Sequence, residues 1–248
     1  EQDIKDKSFI RYINRFLISG YMENTKLYIT EKGTPQGGLI SPILANVYLH
    51  YVLDLFFENY VKPRIKGEAY LVRYADDFII MFQYEEEAKQ VYRALVKRLA
   101  QYGLEMEQEK TKIIPFGRYK GTKDKFDFLG FTHYNGVTRT GKYMVGHKMS
   151  KKKRKMKHKA ITKWIKERRA CKFMETIKQL NRKLVGIYAY YGINGMLREL
   201  YKIYYHTLYA LRSSMFRRSQ RCLSVKVFNK TIRRIPIVEP KIYKNIWC

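Results

Sequence analysis

The stretch Ala69-Tyr70-Leu71-Val72-Arg73-Tyr74-Ala75-Asp76-Asp77-Phe78-Ile79-Ile80-Met81-Phe82 decides how the chain is read. Ala69 to Val72 and Phe78 to Phe82 are two almost unbroken apolar runs, rich in aromatic and β-branched side chains. Such runs predict strands covered on one face and crowded on the other. Between them stand two adjacent aspartates, so the stretch predicts a hairpin with Asp76 and Asp77 at its tip. Neighbouring carboxylates flanked by apolar strands repel, and holding them together costs stability unless a cation is bound. Hard divalent ions such as Mg²⁺ take oxygen ligands of this kind and bridge phosphates. Taken alone, an Asp-Asp pair is more often a solvated acidic turn, so the surrounding sequence has to decide.

Upstream, Ser41-Pro42 is a good cap and first-turn pair for a helix running to about Glu58, with Ile43, Leu44, Val47, Tyr48, Tyr51 and Leu55 at helical spacing. The loop before it, Gly33-Thr34-Pro35-Gln36-Gly37-Gly38, lets a substrate approach the backbone or is a plain turn. It is not a P-loop, because no Gly-Lys-Ser/Thr follows. Further upstream, Ser8 to Ile18 is a short amphipathic helix and Leu27 to Thr30 a short strand. Downstream of the hairpin, Glu85 to Tyr102 is a helix with the stripe Ala88, Val91, Tyr92, Leu95, Val96 and Leu99, closed by Gly103. Thr111 to Phe116 and Phe126 to Tyr134 read as strands. The second ends on Asn135-Gly136, a hairpin turn signal, and leads to a strand near Lys142 to Val145. Residues 41–116 thus read α-β-β-α-β, the split βαβ (ferredoxin-like) order without its first strand.

From Lys148 the character changes. Lys151-Lys152-Lys153-Arg154-Lys155-Met156-Lys157-His158-Lys159 is a basic run, a linker or an exposed helix start. Phe173, Ile177, Leu180, Leu184, Ile187 and Tyr191 mark a helix, a second spans Met196 to Arg218, and a looser tail with Pro236 and Pro240 follows.

The chain of 248 residues carries a net charge of +28 from 50 basic and 22 acidic side chains. That charge is uneven: residues 1–135 hold 20 basic and 18 acidic side chains, residues 136–248 hold 30 and 4. A body so self-repelling calls for a polyanionic partner. Interleaved aromatics such as Trp164, Tyr188, Tyr190, Tyr191, Tyr201 and Tyr205 favour nucleic acid over a membrane surface. No long uncharged apolar run spans a bilayer, and Glu1 to Lys7 lacks a signal-peptide core. Three scattered cysteines suggest neither disulfides nor a zinc site and fit a cytoplasmic protein associated with RNA. His133, His147 and His158 lack ligand partners and read as solvated or RNA-facing.

Together, four groups of residues resemble the successive palm motifs of a group II intron-encoded reverse transcriptase, or maturase. These are Gly33 to Pro42 followed by a helix, Tyr74-Ala75-Asp76-Asp77, Glu109-Lys110-Thr111, and Phe126-Asp127-Phe128-Leu129-Gly130-Phe131. Leu180-Asn181-Arg182-Lys183-Leu184-Val185-Gly186 and Tyr190-Tyr191-Gly192 resemble the thumb, or X domain. The resemblance implies an α+β fold. Its first part is a right-hand polymerase palm over residues 1–146, with an incomplete ferredoxin-like sheet, and its second an all-α basic thumb over residues 147–248. It implies RNA-directed DNA polymerisation from dNTPs on an RNA template and DNA primer, with two Mg²⁺ ions in the complete enzyme, and binding of group II intron RNA. Asp76 would be a Mg²⁺ ligand and Asp77 a secondary one. Tyr74 would support the primer terminus and Ala75 leave room beside the incoming pair. Pro35, Gln36 and Gly37 would line the nucleotide pocket. Lys110 would protonate pyrophosphate or bind phosphate. Phe128, Leu129 and Gly130 would form the primer grip. Lys151, Lys152, Lys153, Arg154, Lys155, Arg182 and Lys183 would hold nucleic acid.

The family uses a further aspartate on a palm strand upstream of residues 8–18. Asp3, Asp6 and Asp54 do not replace it, so the expectation is that this chain alone does not extend a primer, unless an upstream polypeptide completes the palm. The alternative is a non-catalytic, maturase-like RNA-binding protein that aids intron splicing. No cysteine and histidine cluster of a nuclease follows Arg218.

Binding to structured RNA should weaken steeply with salt. Raising NaCl from 50 to 200 mM should cost roughly a thousandfold in affinity if six or more phosphates are neutralised, as read from the slope of log affinity against log salt.

Overall fold

The computed structural model describes residues 4–18, 21–23, 26–28, 40–119, 123–216 and 224–246. The chain is α+β and divides by packing into two compact units, Glu1–Ile113 and Ile114–Cys248.

In the first unit, α1 (Lys7–Ile18) opens on Asp6, whose Oδ1 accepts from the amides of Ser8 at 2.8 Å and Phe9 at 3.2 Å. Strands β1 (Tyr21–Glu23) and β2 (Lys26–Tyr28) pair antiparallel. Helix α2 begins at Ser41 with Ile40 in the cap position, so Ser41 is its first residue rather than its cap. It runs to Leu49 and continues through two wide π-helical segments, His50–Asp54 and Phe57–Val61. Of the apolar side chains expected to share a stripe, Ile43, Val47, Tyr48 and Tyr51 are exposed and Leu44 and Leu55 half-buried, whereas Val52, Leu53, Phe57 and Val61 are buried. The second half of the run packs in one core with the hairpin and the next helix.

That hairpin is β3 (Ala69–Tyr74) and β4 (Asp77–Phe82), in register from Ala69↔Phe82 to Tyr74↔Asp77. Alternation sends Leu71, Phe78, Ile80 and Phe82 to the core with Leu53, Phe57, Val61, Ala69, Val91 and Leu95. Tyr70, Val72, Tyr74 and Met81 lie on the exposed face. Helix α3 (Glu85–Gln101) buries Val91, Leu95 and Leu99, the stripe its sequence predicts, and Gly103 follows with φ +67. Residues 111–116 form no strand. A strand needs a partner to satisfy its amides, and among the described residues the sheet built on the hairpin stops at β3 and β4.

The second unit contains the sheet β5 (Lys125–Phe128), β6 (Phe131–Val137) and β7 (Tyr143–Met149), all antiparallel. The reversal expected at Asn135-Gly136 lies elsewhere. Both residues sit inside β6, and the β6–β7 turn is at Thr138–Lys142, where Gly141 has φ +78. An earlier reversal splits the expected strand 126–134 at Leu129 and Gly130, with φ +49 and +82. Two successive positive-φ residues are what a tight two-residue hairpin requires.

Helices α4 (Lys151–Glu167), α5 (Phe173–Tyr191), α6 (Leu197–Phe216) and α7 (Val225–Arg234) complete the unit. The basic run is therefore a helix, capped by Ser150 Oγ accepting from the Lys153 amide at 3.3 Å. The expected loose tail is ordered as well. Ser224 caps α7, and Phe228 is buried. Asn181 of α5 donates to Pro236 O and accepts from the Val238 amide, both at 3.0 Å. Gly192 O accepts from the amides of Tyr243 at 2.7 Å and Lys244 at 3.0 Å. The sequence-based division at 146/147 differs from the packing division because Phe131 and Met149 of the sheet join the core of Ile165, Ile177, Leu184, Tyr188 and Leu200.

A Cβ on Gly192 would lie 2.3 Å from Tyr188 O and 2.9 Å from Lys241 O. Backbone oxygens cannot move aside as a side-chain tip can. Gly192→Ala should therefore destabilise the second unit by about 1–3 kcal/mol in denaturant unfolding.

Candidate active site and nucleic-acid surface

The tip of the β3–β4 hairpin is Ala75-Asp76, and Asp77 is the first residue of β4. Ala75 takes φ +54, an uncommon conformation for a residue with a Cβ and least crowded for a small one. Asp76 and Asp77 are both exposed. Arg73, on the core-facing side of β3, ties this tip to the long helix. Its Nε and Nη2 donate to Asp54 Oδ1 and Oδ2 at 2.7 and 2.6 Å, a two-pronged pair. Its Nη1 donates to Asn46 Oδ1 at 2.8 Å and to the carbonyl of Ala75 at 3.0 Å.

The helix accommodates this because of its π turn. Eight residues on a regular helix leave two side chains about 80° apart, but a wide turn absorbs roughly the surplus residue and aligns Asn46 with Asp54. The hydrogen bonds from Arg73 hold the Asp54 carboxyl below its ordinary range against the opposing effect of burial.

Lys110 follows in the turn after α3, donating to Glu107 Oε2 at 2.5 Å. That hydrogen bond raises its pKa, and Asp77 adds a weaker attraction. Pro35, Gln36 and Gly37 lie outside the described residues. Asp76 and Asp77 offer the hard oxygen donors that Mg²⁺ prefers. No group of three or more His, Cys, Asp or Glu able to hold a metal occurs among the described residues. The donor chemistry fits the ion, and the pair by itself falls short of a closed site.

In the second unit, Phe128, Leu129 and Gly130 form the β5–β6 turn. Tyr190 of α5 donates to Leu129 O at 2.9 Å, and the Ser150 amide donates to Gly130 O at 3.0 Å. The bare Cα of Gly130 leaves room for Tyr191 Oη and Lys153 Cγ, which a Cβ would meet at 2.9 and 3.5 Å. Phe131 packs its ring against both tyrosines, at 5.8 and 5.1 Å. The fold thus brings two sets of sequence-predicted residues together, the turn 128–130 and the start of the basic helix.

Lys151, Lys152, Lys153 and Lys155 are exposed, as are Arg182 and Lys183. The first turn of α4 contains no acidic residue, so three lysines add to the positive end of the helix dipole. Arg154 is different. Its Nη1 donates to Glu199 Oε2 at 2.6 Å, and Glu199 also receives Lys202. Arg154 is thereby committed to joining α4 to α6 rather than offered to a ligand.

His133, His147 and His158 are partly buried instead of solvated. His133 stacks on Phe126 at 4.9 Å and edges His147 at 4.9 Å, and burial lowers the pKa of all three. No described helix is long and apolar enough to cross a membrane.

A family model described as reverse transcriptase (RNA-dependent DNA polymerase) matches residues 2–133. The chain belongs to the reverse transcriptase family. Group II intron-encoded protein LtrA of Lactococcus lactis subsp. cremoris is 31% identical over 144 residues, covering 51% of this chain and 24% of LtrA. The putative COX1/OXI3 intron 1 protein of Saccharomyces cerevisiae is 29% identical over 158 residues, covering 44% and 19%. The uncharacterized 91 kDa protein in cob intron of Schizosaccharomyces pombe is 50% identical over 56 residues, covering 23% and 7%. This reverse transcriptase chain spans no more than 24% of the length of these relatives. The similarities bear out the group II intron resemblance read from the motifs.

Sequence reasoning missed Arg73, Asp54 and Asn46, although a signal was present. Arg73 is the lone cation on the core side of an otherwise apolar strand, in phase with Ala69 and Leu71. A cation in that phase requires an acidic partner.

Because the folded-state pKa of Asp54 is depressed below 3.8, its contribution to stability is complete above that value and is lost as pH falls through the lower, folded one. Asp54→Asn should therefore flatten the loss of stability of the first unit between pH 5 and pH 3. Arg73→Ala should cost about 1–3 kcal/mol at pH 7, both read by denaturant unfolding.

Proposed function

We propose that this chain acts in RNA-directed DNA synthesis of the group II intron type. In this reading the first unit presents Asp76 and Asp77 to the metal-bound phosphates of an incoming dNTP, and the second unit holds nucleic acid. The observation that carries the reading is the Tyr74-Ala75-Asp76-Asp77 hairpin tip, anchored through Arg73 to Asp54 and Asn46, in a chain of this family. A solvated acidic turn does not need such an anchor. A polymerase does, because its metal ligands must be held in place before substrate arrives.

Asp76 and Asp77 would hold Mg²⁺, which when bound activates the primer hydroxyl and neutralises charge on the leaving pyrophosphate. Tyr74, exposed beside Asp77, would support the primer terminus, and Ala75 would keep the tip narrow. Lys110, kept charged by Glu107, would bind phosphate. Pro35, Gln36 and Gly37 would face the nucleotide. The turn 128–130 would grip the primer while Lys151, Lys152, Lys153, Lys155, Arg182 and Lys183 contact the backbone of the template–primer duplex or of intron RNA. The palm and thumb boundary at 146/147 is functional in this reading and not a boundary of packing.

A second reading is a maturase-like RNA-binding protein without polymerisation. It is favoured by the absence of a three-ligand acidic cluster among the described residues.

Primer extension on an RNA template with Mg²⁺ separates the two. It should be run with the chain alone and with an upstream polypeptide supplying the missing palm strand added. Asp76→Asn should lower incorporation about a hundredfold or more, since metal ligation is worth several kcal/mol, and leave RNA affinity unchanged. Persistent RNA binding with no Asp76-dependent incorporation in either arrangement would establish the second reading.

A further inference from the structure

A groove lies on the second unit, between α4 and α6, beginning about one helical turn beyond Lys155. It has a volume of about 420 Å³ and is lined by His158, Lys159, Thr162, Lys163, Lys166, Glu167 and His206. Lys159, Lys163 and Lys166 follow one another at four and three residues along α4, the spacing of a single helix face, and all three are exposed. At the floor, the rings of His158 and His206 stack face to face, 4.0 Å apart and only 6° from parallel.

The hydrogen bonding of this pair is lopsided. Nε2 of His206 lies 3.2 Å from the carbonyl of His158 and 3.0 Å from Thr162 Oγ1. A proton on that nitrogen therefore donates to the carbonyl in the neutral ring. Protonation would add a donor at Nδ1 and a positive charge without breaking these bonds. His158 Nε2 is buried and has no partner, an unsatisfied state that native structures seldom keep without a use.

The charges around the pair set its behaviour. On α4 the pair shares its surroundings with Arg154, Glu167 and the three lysines, and from α6 Glu199 acts on His158. Glu199 is already engaged by Arg154 and Lys202, so it is a poor counterion for an imidazolium. Glu167 lies 3.9 Å from Lys163 in an exposed pair, loose enough for a multivalent anion to displace. Burial, His206 and Arg154 all hold His158 toward its neutral form. Two stacked imidazoliums at this distance, amid lysines, are tolerable only with an anion above them.

We propose that this groove is a phosphate-binding site for RNA or a nucleotide, in which the lysines supply constant charge and the stacked His158–His206 pair supplies charge that appears on acidification or on phosphate binding. The lysines draw the phosphate in, and the pair takes up a proton once it is there. Affinity consequently rises as pH falls. The site belongs to the second unit alone, so failure of primer extension leaves it standing.

The test measures binding of a fluorescent ten-nucleotide RNA by polarisation between pH 8 and pH 5.5, with ATP as competitor. The wild-type gain in affinity on acidification should exceed that of His206→Phe by about threefold or more. His133→Phe, a control outside the groove, should keep the wild-type gain. Lys163→Gln should weaken binding at both ends of the range. Competition by ATP assigns the site to nucleotides. RNA binding that ATP does not compete, but that loses its pH dependence in His206→Phe, assigns it to the RNA backbone. An unchanged pH dependence in His206→Phe overturns the proposal. Should that variant unfold, the imidazole proton resonances of the wild-type chain decide: their titration should move to higher pH on adding ATP or RNA, and no movement with either overturns the proposal.

Discussion

The four hydrogen bonds of Arg73 are the constraint on which the first unit turns. Without them, β3 and β4 would be a two-stranded ribbon packed on one face, free to rock at the tip. The guanidinium crosses from the strand to the helix, pairs with Asp54 in a planar fork, and reaches Asn46 and the carbonyl of Ala75 with its remaining nitrogen. Lysine could not reproduce this, having one nitrogen and no fixed fork. The side chains of Arg73 and Asp54 are only 13% and 26% exposed, so the pair is screened less than a surface salt bridge. The position of Asp76 is thereby coupled to the helix, one residue beyond the carbonyl that Arg73 holds.

The second unit solves the opposite problem. Its surface is overwhelmingly cationic, and one of its few carboxylates, Glu199, is placed where it joins two helices. Glu199 draws Arg154 of α4 and Lys202 of α6 to one buried carboxylate, neutralising charge at the helix contact and leaving the remaining lysines outside. The core of Ile165, Ile177, Leu180, Leu184, Tyr188, Leu200 and Ile203 can then close without a cation inside it. What remains outward is charge that only a polyanion can offset, and it begins where Lys153 touches the β5–β6 turn.

Much of this was legible in the sequence where periodicity was strong. The stripes of α3 and α5 and the two arms of the hairpin fall where their apolar spacing puts them. The place of Asp76 and Asp77 at a hairpin tip was readable because two polar residues between apolar runs mark a reversal. The misses have physical causes. The π turn at His50–Asp54 changes the phase of the helix from there on, so Tyr51, named from regular spacing, is exposed while its neighbours Val52 and Leu53 are buried. The turn at Leu129-Gly130 hid because a leucine at positive φ carries no compositional signal. It is held in that form from outside, by Tyr190 and Ser150, which sequence distance concealed. The tail looked loose because its order comes from Asn181 and Gly192, long-range partners on and beside α5.

The exposed face of the hairpin bears on which function the first unit serves. Tyr70, Val72, Tyr74 and Met81 form a continuous apolar strip ending beside Asp77. A protein that merely held RNA through charge would gain nothing from such a strip next to two aspartates, since both features repel a phosphate backbone or ignore it. A flat ring such as Tyr74 beside carboxylates suits a different target, a sugar or base whose reactive end is brought to a metal while its face packs on apolar surface. The arrangement separates two kinds of surface along the chain: apolar side chains and carboxylates on the hairpin of the first unit, and exposed lysines and arginines on the second. In the proposed reading, that separation lets the group that reacts and the backbone that is gripped be handled by surfaces of opposite charge.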